Sequence, residues 1–159
     1  MNKIIAIAGP VFSGKSTEIL RQLERYYLAG RNVAYCVPDI DTRTSDDIRF
    51  SSTREEYKIP VNKLQINVNF DGDYLDSDVI AFDEAQFFTS EIVTLCQKLK
   101  DEGKTIIVGG LDMDFLRRPF GSMGNIMAIA DKVLKLTAIC SCGNEAIYTQ
   151  RIQGGDETI

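Results

Sequence analysis

The sequence predicts an α/β fold in which a parallel sheet is flanked by helices. Short apolar runs alternate with helical patterns along the chain, and Val79–Phe82 lacks the polar alternation of a half-exposed strand. Strands separated by helices are joined by right-handed crossovers and therefore lie parallel. The 159 residues are 44% hydrophobic and 26% charged, which is ordinary for one domain with a sizeable core.

Each element has its own signal. Apolar residues at helical spacing support the two longer helices, which Gly30 and Gly103 end. The region Asp39–Tyr57 is polar without a steady period, so it reads as a long loop. The predicted elements are strand Lys3–Ala8, helix Ser16–Ala29, strand Asn32–Val37, a half-exposed edge strand over 64–70, strand Val79–Phe82, a helix capped by Thr89 or Ser90, and strand Thr105–Val108.

The pattern changes near Lys132, where two short strands are expected around Cys140 and Cys142. We therefore predict a main domain over residues 1–131 and a small C-terminal module over residues 132–159. No internal repeat is visible.

The turn after the first strand matches the phosphate-binding loop pattern G-x-x-x-x-G-K-[S/T] in its strand–loop–helix context. Its glycines let backbone N–H groups approach phosphates, Lys15 would reach the β- and γ-phosphates, and the Ser16 hydroxyl would bind Mg²⁺. A plain glycine turn is the weaker interpretation. The residues expected to contact ATP are Gly9, Pro10, Val11, Phe12, Ser13, Gly14, Lys15, Ser16 and Thr17, with Asp83 and Gln86 from later in the chain.

Two adjacent carboxylates, Asp83 and Glu84, follow the buried strand Val79–Phe82. In a P-loop protein this places Asp83 beside the nucleotide, where it can hold Mg²⁺ together with Ser16. Glu84 points elsewhere and can act as a base. The alternative is that the pair caps a helix N-terminus. By itself, the pair indicates NTP hydrolysis or phosphoryl transfer and does not name the acceptor.

Composition excludes several classes. The net charge of −5 and pI of about 4.8 argue against nucleic-acid binding, which usually shows a basic footprint. There is no apolar run of 18 residues and no signal-peptide pattern, so we expect neither a membrane span nor secretion. Four cysteines are too few and too oddly spaced for a disulfide scaffold, which favours a reducing, cytoplasmic compartment. Without histidine, acid–base chemistry falls to carboxylates, Lys, Tyr or Cys.

Seven motifs occur in a fixed order and together resemble the type II (cellular and bacterial) thymidine kinase family over nearly the whole chain. The resemblance implies a RecA-like P-loop sheet and ATP-dependent phosphorylation of the thymidine 5′-hydroxyl, giving dTMP and ADP in deoxynucleoside salvage for DNA synthesis. The motifs are G-P-x-F-S-G-K-S-T at 9–17, D-T-R at 41–43, D-E-A-Q-F-F at 83–88, G-L-D-x-D-F at 110–115, P-F-G at 119–121, K-L-T-A-I-C at 135–140 and T-Q-R at 149–151.

The resemblance also implies roles for single residues. Glu84 matches the catalytic base, and Lys15 and Arg43 complete the catalytic set, with Arg43 near the acceptor end. A carboxylate within hydrogen-bond reach can take the hydroxyl proton as charge develops. The alternative for Arg43 and Arg151 is an ordinary surface arginine, and the alternative for Leu111 and Phe115 is an ordinary core role. The residues expected to bind the nucleoside are Leu111, Phe115, Thr149 and Arg151.

Two departures from the family pattern stand out. Val11 replaces a common Met in the loop, and Cys140-Ser141-Cys142 stands where the family has C-x-x-C. Two thiolates at this spacing cannot complete a four-ligand zinc site, so the sequence predicts an incomplete zinc-ribbon-like module with substoichiometric zinc. The sequence stops at Ile159, near the family's substrate-covering loop, so this form is expected to bind ATP well and thymidine weakly.

The resemblance further implies a homotetramer and feedback inhibition by dTTP. Three alternatives stay open at this point: a kinase for another pyrimidine deoxynucleoside, a P-loop ATPase that drives a partner, and a nucleotide-binding regulator without turnover.

Overall fold

The computed structural model describes residues 2–40, 46–50, 57–68, 71–139 and 145–146. The strands are β1 Lys3–Ala8, β2 Val33–Pro38, β3 Asp47–Phe50, β4 Tyr57–Leu64, β5 Val79–Phe82, β6 Thr105–Gly110, β7 Lys132–Lys135, β8 Ala138–Ile139 and β9 Glu145–Ala146. The helices are α1 Lys15–Leu28, α2 Glu91–Asp101 and α3 Met123–Ile129, with short 3₁₀ turns at Asp73–Asp76 and Ala85–Phe87. No helix in the described ranges has the length and apolar character needed to cross a bilayer.

Seven strands form the main sheet in the order β3-β4-β2-β5-β6-β1-β7. Every pairing in it is parallel except that of β3 with β4, which is antiparallel. This confirms the predicted α/β class with a mostly parallel sheet.

Both faces of the central strands are covered, which explains their unbroken apolar runs. Along β1, Ile4 packs into the core on the side of α2 and α3, whereas Ile5 packs on the side of α1. Helix α1 contributes Ile19 and Leu23 to its layer, and both are fully buried. Helix α2 contributes the predicted stripe of Ile92, Leu95, Cys96 and Leu99, all buried.

The strand order brings three chain segments to one edge of the sheet. Strands β5, β6 and β1 are neighbours, so their carboxyl ends lie side by side. β1 leads into the loop before Lys15, β5 leads into Asp83, and β6 leads into Leu111. Ligands of open α/β sheets bind at this edge, and the candidate site lies there.

The region between β2 and β5 differs from the prediction. The predicted loop contains β3, and the strand expected over residues 64–70 instead occupies Tyr57–Leu64. It is not the edge strand, because β3 covers its outer side. Val68 is buried but lies in a turn closed by its own N–H to the Gln65 carbonyl, so the apolar alternation there comes from irregular chain that covers the core. Phe70 lies outside the described residues.

The C-terminal part of the sheet also extends further than the sequence pattern indicated. Helix α3 was not predicted, because its seven residues are too short to show a clear period. Strand β7 follows the predicted boundary at residue 132, yet it pairs with β1 in register from Ile5–Lys132 to Ala8–Lys135. Strands β8 and β9 form a separate two-stranded sheet. The division into a main domain and a C-terminal module remains a prediction.

Candidate active site

The loop between β1 and α1 is shaped by close backbone approach. A Cβ on Gly9 would lie 2.7 Å from the Leu136 carbonyl oxygen, so this position has no room for a side chain. Gly14 has φ +87° and ends the loop at the start of α1, a conformation that suits glycine. Phe12 also has positive φ, and its side chain is 78% exposed. The chain therefore turns sharply into the N-terminus of α1, where free backbone N–H groups and the helix dipole favour an anion.

Lys15 is the first residue of α1, and its side chain is buried. Its ammonium donates to the Pro10 carbonyl oxygen over 2.6 Å and to the Ser13 hydroxyl over 3.4 Å. Burial lowers the pKa of Lys15 below its ordinary value, while the charges of Glu84, Asp83 and Asp112 oppose that shift. The loop thus holds a buried cation at the sheet edge, within the electrostatic influence of three carboxylates.

Asp83 follows β5 and is almost fully buried, with 1% exposure. One of its oxygens, Oδ2, accepts hydrogen bonds from the Ser16 hydroxyl at 2.7 Å and the Tyr35 hydroxyl at 2.6 Å. The other oxygen accepts the backbone N–H of Glu84 at 2.8 Å. The structure therefore brings Ser16 and Asp83 together, as the sequence predicts, and adds Tyr35 to them.

Glu84 has φ +55° and ψ +38°, a left-handed conformation that is uncommon for a residue other than glycine. Such backbone strain tends to occur at functional sites. The 3₁₀ turn Ala85–Phe87 follows at once, and Glu84 makes no side-chain capping hydrogen bond to it. The helix-cap alternative for this carboxylate is therefore wrong. Its Oε2 instead accepts the side-chain amide N–H of Gln86 at 3.0 Å.

A pocket of about 230 Å³ joins the phosphate-binding loop to the ends of β5 and β6. Glu84, Gln86 and Leu111 form one wall, and the loop and the first turn of α1 form the other. The loop-side residues are Val11, Phe12, Gly14, Lys15, Ser16 and Thr17. A nucleotide phosphate bound by the loop would thus lie beside the Glu84 carboxylate.

The segment after Leu111 folds into a tight loop around Asp114. The Asp114 carboxylate accepts the backbone N–H groups of Leu116 and Arg118 and also pairs with the Arg118 guanidinium at 3.0 Å. Burial alone would raise the pKa of Asp114, but these hydrogen bonds hold it below its usual value. Phe115 lies half-buried within this loop and is not part of the wall of the 230 Å³ pocket. The loop returns through Phe120, whose ring meets that of Phe87 edge-on at 5.7 Å.

Several predicted residues cannot be placed. Arg43, Thr149, Arg151, Cys140 and Cys142 lie outside the described residues. In the ranges that are described, no cluster of three or more His, Cys, Asp or Glu side chains is arranged to hold a metal ion.

Sequence reasoning missed two residues at this edge. Tyr35 lies within the apolar run of β2, and nothing in the sequence shows that its hydroxyl reaches Asp83. Asp112 is buried, contributes to the field at Lys15 and pairs with Lys135 at 3.0 Å. Its signal was available, because it follows a buried strand of the same kind as the one before Asp83.

Comparison with known proteins identifies the family. The sequence model of the family described as thymidine kinase matches residues 2–159. The thymidine kinase of Deinococcus radiodurans is 41% identical over 159 residues, an alignment that covers 94% of this chain and 75% of that protein. The thymidine kinase of Porphyromonas gingivalis is 39% identical over 164 residues, with 98% and 76% covered.

One solved structure supports the fold alone. The flagellar accessory protein FlaH of Methanocaldococcus jannaschii superposes with a TM-score of 0.56 at 12% identity, covering 83% of this chain and 70% of that one. The family is set by the sequence relatives, of which a third was found in Coprothermobacter proteolyticus, 39% identical over 150 residues with 94% of this chain and 75% of that protein covered. On this evidence the chain belongs to the thymidine kinase family.

Proposed function

We propose that the protein transfers the γ-phosphoryl group of ATP to the 5′-hydroxyl of thymidine, producing ADP and dTMP. One observation carries the assignment of roles: the Glu84 carboxylate lies in the wall of the same pocket as Lys15 and Ser16 of the phosphate-binding loop. A base and a phosphate site in one small pocket are what phosphoryl transfer to a hydroxyl requires. The identity of the acceptor, thymidine, is inferred from the thymidine kinases that this chain resembles.

The loop and Lys15 would bind the phosphates of ATP. Backbone N–H groups at the start of α1 donate to phosphate oxygens, and the Lys15 ammonium offsets charge on the transferring group. Hydrogen bonds from its ammonium to the Pro10 carbonyl and the Ser13 hydroxyl keep the Lys15 side chain at the loop.

Ser16 and Asp83 fit a magnesium ion bound with the nucleotide. They offer a hydroxyl and a carboxylate oxygen 2.7 Å apart, and Mg²⁺ in such enzymes takes one or two protein oxygens together with phosphate oxygens. When bound, the ion would neutralise charge on the β- and γ-phosphates. Tyr35 holds the Asp83 carboxylate in position for this role.

Glu84 would act as the general base. Its carboxylate takes the proton of the 5′-hydroxyl while that oxygen forms a bond to the γ-phosphorus, and the bond from the γ-phosphorus to the β,γ-bridging oxygen breaks. The electron pair of that bond leaves with ADP. The nucleoside is proposed to approach from the side of Leu111, where Leu111 and Phe115 would contact the thymine ring, the latter by stacking. The roles of Arg43, Thr149 and Arg151 are proposed from the resemblance.

The decisive experiment is ADP release measured with a panel of nucleosides. We expect ATP consumption to rise sharply with thymidine, with dTMP formed in equal amount. If another pyrimidine deoxynucleoside stimulated ATP consumption and thymidine did not, that nucleoside would be assigned as the acceptor. ATP hydrolysis without any nucleoside would indicate the ATPase, and binding without turnover would indicate the regulator.

Further properties are proposed from the family resemblance. The protein is expected to be a cytoplasmic homotetramer that is inhibited by dTTP, with a RecA-like core and a small zinc-ribbon-like module. Light scattering would give the oligomeric state, and a dTTP titration of turnover would test inhibition. Metal analysis would test whether zinc falls below one ion per chain.

A further inference from the structure

We infer that Gln86 is a positioning residue for the catalytic carboxylate and works on the acceptor side, not the ATP side where the sequence had placed it. The inference rests on the proposed function, since it assigns Gln86 a task in thymidine phosphorylation. Gln86 is buried, with 4% exposure, and lies in the 3₁₀ turn that follows Glu84.

Both ends of the Gln86 amide are used by neighbours within the protein. Its Nε2 donates to Glu84 Oε2 at 3.0 Å, and its Oε1 accepts the backbone N–H of Leu111 at 3.0 Å. The side chain thus links the base after β5 to the first residue after β6. The second of these bonds fixes which way the amide faces, because only the amide oxygen can accept the Leu111 N–H. The amide NH₂ is therefore directed at the carboxylate.

Two glycines make room for this arrangement. A Cβ on Gly110 would lie 2.7 Å from Gln86 Oε1, and a Cβ on Gly121 would lie 2.2 Å from the Gln86 backbone oxygen. The backbone at these positions approaches Gln86 closely on two sides. The amide is consequently confined, with little freedom to rotate away from Glu84.

Confinement matters because a general base must direct one oxygen at the proton that it removes. The Glu84 carboxylate could otherwise rotate about its side-chain bonds. The hydrogen bond from Gln86 holds Oε2 of Glu84, and the direction of the other oxygen, Oε1, follows from it. Since the same amide binds Leu111, the base and the proposed thymine-side wall keep a constant separation.

The test compares two substitutions that remove different parts of the link. Gln86→Glu is nearly isosteric and can still accept the Leu111 N–H, but it places a carboxylate where the donor to Glu84 was. Gln86→Met removes both hydrogen bonds without adding charge. We expect both variants to lower kcat for thymidine by about 10-fold or more, as loss of a supporting hydrogen bond at a catalytic group does. Binding of ATP, measured by calorimetry without nucleoside, should change by less than about threefold.

Coupling to Glu84 is measured in a double-mutant cycle. If Gln86 acts through the Glu84 carboxylate, adding Gln86→Met to Glu84→Gln should slow the reaction by no more than about twofold beyond Glu84→Gln alone. A further loss equal to that of the single variant would overturn the inference. Retained kcat with weakened ATP binding would also overturn it and return Gln86 to the ATP site.

Two controls separate positioning from stability and from the proposed function. Gly110→Ala should push the amide aside and lower kcat, whereas Gly124→Ala in α3, where an added Cβ meets nothing within 4 Å, should not. Ile106→Val at the opposite end of β6 lowers stability without touching the site, and its kcat should match wild type. If wild type makes no dTMP, the proposed function fails first. If wild type makes dTMP and the Gln86 variants match it, only this inference fails.

Discussion

The proposed ATP side and the proposed acceptor side of the pocket are built in different ways. The ATP side is the loop between β1 and α1 with the first turn of α1, and it includes contacts within the loop, such as Lys15 to Pro10. The acceptor side is assembled from separate strand ends, and its hydrogen bond from Leu111 to Gln86 spans 25 positions. The Ser16–Asp83 bond, which joins the loop to the end of β5, spans 67 positions. A local motif can carry phosphate binding, but placing a base beside it requires the folded sheet.

The largest expected effect comes from the base at the junction of the two sides. Glu84→Gln keeps the shape and the hydrogen bond to Gln86 but cannot accept the hydroxyl proton, so kcat should fall by about 10²–10⁴-fold. ATP binding should change little, because the loop is untouched. Steady-state kinetics and calorimetry would measure both. The matched control is Glu102→Gln at the end of α2, and lost ATP affinity with retained kcat would mean that Glu84 is not the base.

Within the ATP side, Lys15→Met should lower kcat by about 10²–10³-fold, the cost typical of removing one transition-state charge stabiliser. The fold should survive, because burial disfavours the charged form of this side chain and its removal ends that penalty. In this variant kcat should therefore fall while the melting temperature does not. The control is Lys98→Met, at an exposed position of α2. Normal turnover in folded Lys15→Met protein would contradict the phosphate-binding role.

The hydrogen bond from Tyr35 in β2 to Asp83 should affect the metal affinity of the Ser16–Asp83 pair, which is proposed to bind Mg²⁺. Tyr35→Phe keeps the ring in the core but removes the hydroxyl that donates to Asp83, so Mn²⁺ and Mg²⁺ should bind about 10–100-fold more weakly in the presence of ATP. Electron paramagnetic resonance of Mn²⁺ measures this without turnover. The control is Tyr27→Phe, whose ring packs on Phe50 and Tyr57. Unchanged metal affinity in Tyr35→Phe would leave Tyr35 with a packing role only.

A change confined to the acceptor side should leave the ATP side unaffected. Phe115→Ala should raise KM for thymidine by about 5- to 100-fold, the range expected for loss of one stacked base contact. KM for ATP should stay within about twofold. Leu116→Ala, at a neighbouring side chain that is 55% exposed, is the control. Equal increases in both KM values, with a lower Tm, would assign Phe115 to packing.

The smallest effect is expected for a substitution that lies outside both sides of the pocket. Asp131 accepts the backbone N–H of Ile4 at 2.8 Å and pairs with Lys100, and these contacts lower the pKa of its carboxyl. Asp131→Asn should lower Tm by roughly 1–3 °C at neutral pH and leave kcat unchanged. A lowered folded-state pKa contributes stability above the ordinary value of 3.8 and loses it as pH falls through the folded-state pKa. The difference in Tm from wild type should therefore shrink in acid. A difference that is constant with pH would contradict this, and Asp101→Asn is the control.

Elements with strong local signals were predictable. The strands β1, β2, β5 and β6 and the helices α1 and α2 lie within a few residues of their expected bounds, because their apolar periods are unbroken and glycines end the helices. Elements with weak local signals were not predictable. β3 and β4 carry partly exposed, polar sequences that pair only because they add to the edge of a sheet formed by others. The pairing of β7 with β1 was not predictable either, because it joins segments about 127 residues apart.

The same division holds at the site. The loop, Asp83 and Glu84 could be found from the sequence, since each is marked by residue type and by its place after a buried strand. Tyr35 could not be ranked, because its importance depends on which strands are neighbours. Asp112 could have been, because it follows a buried strand as Asp83 does. Gln86 was assigned to ATP, and only its two hydrogen bonds show that its amide is committed to Glu84 and Leu111. Phe115 stays a prediction, since the structure places it in the loop after Leu111 and not in the pocket wall.

By itself, the sequence predicted a phosphate-binding loop between a strand and a helix, a carboxylate pair after a buried strand, and a mostly parallel sheet. These features depend on residue type and spacing over a few turns or strands. The tertiary structure alone decided that β5, β6 and β1 are adjacent, and hence that Glu84 meets the Lys15 loop and that Gln86 spans from the base to Leu111. The physical reason is that strand order is set by the packing of whole layers, so contacts across tens of residues leave no period or motif in the chain.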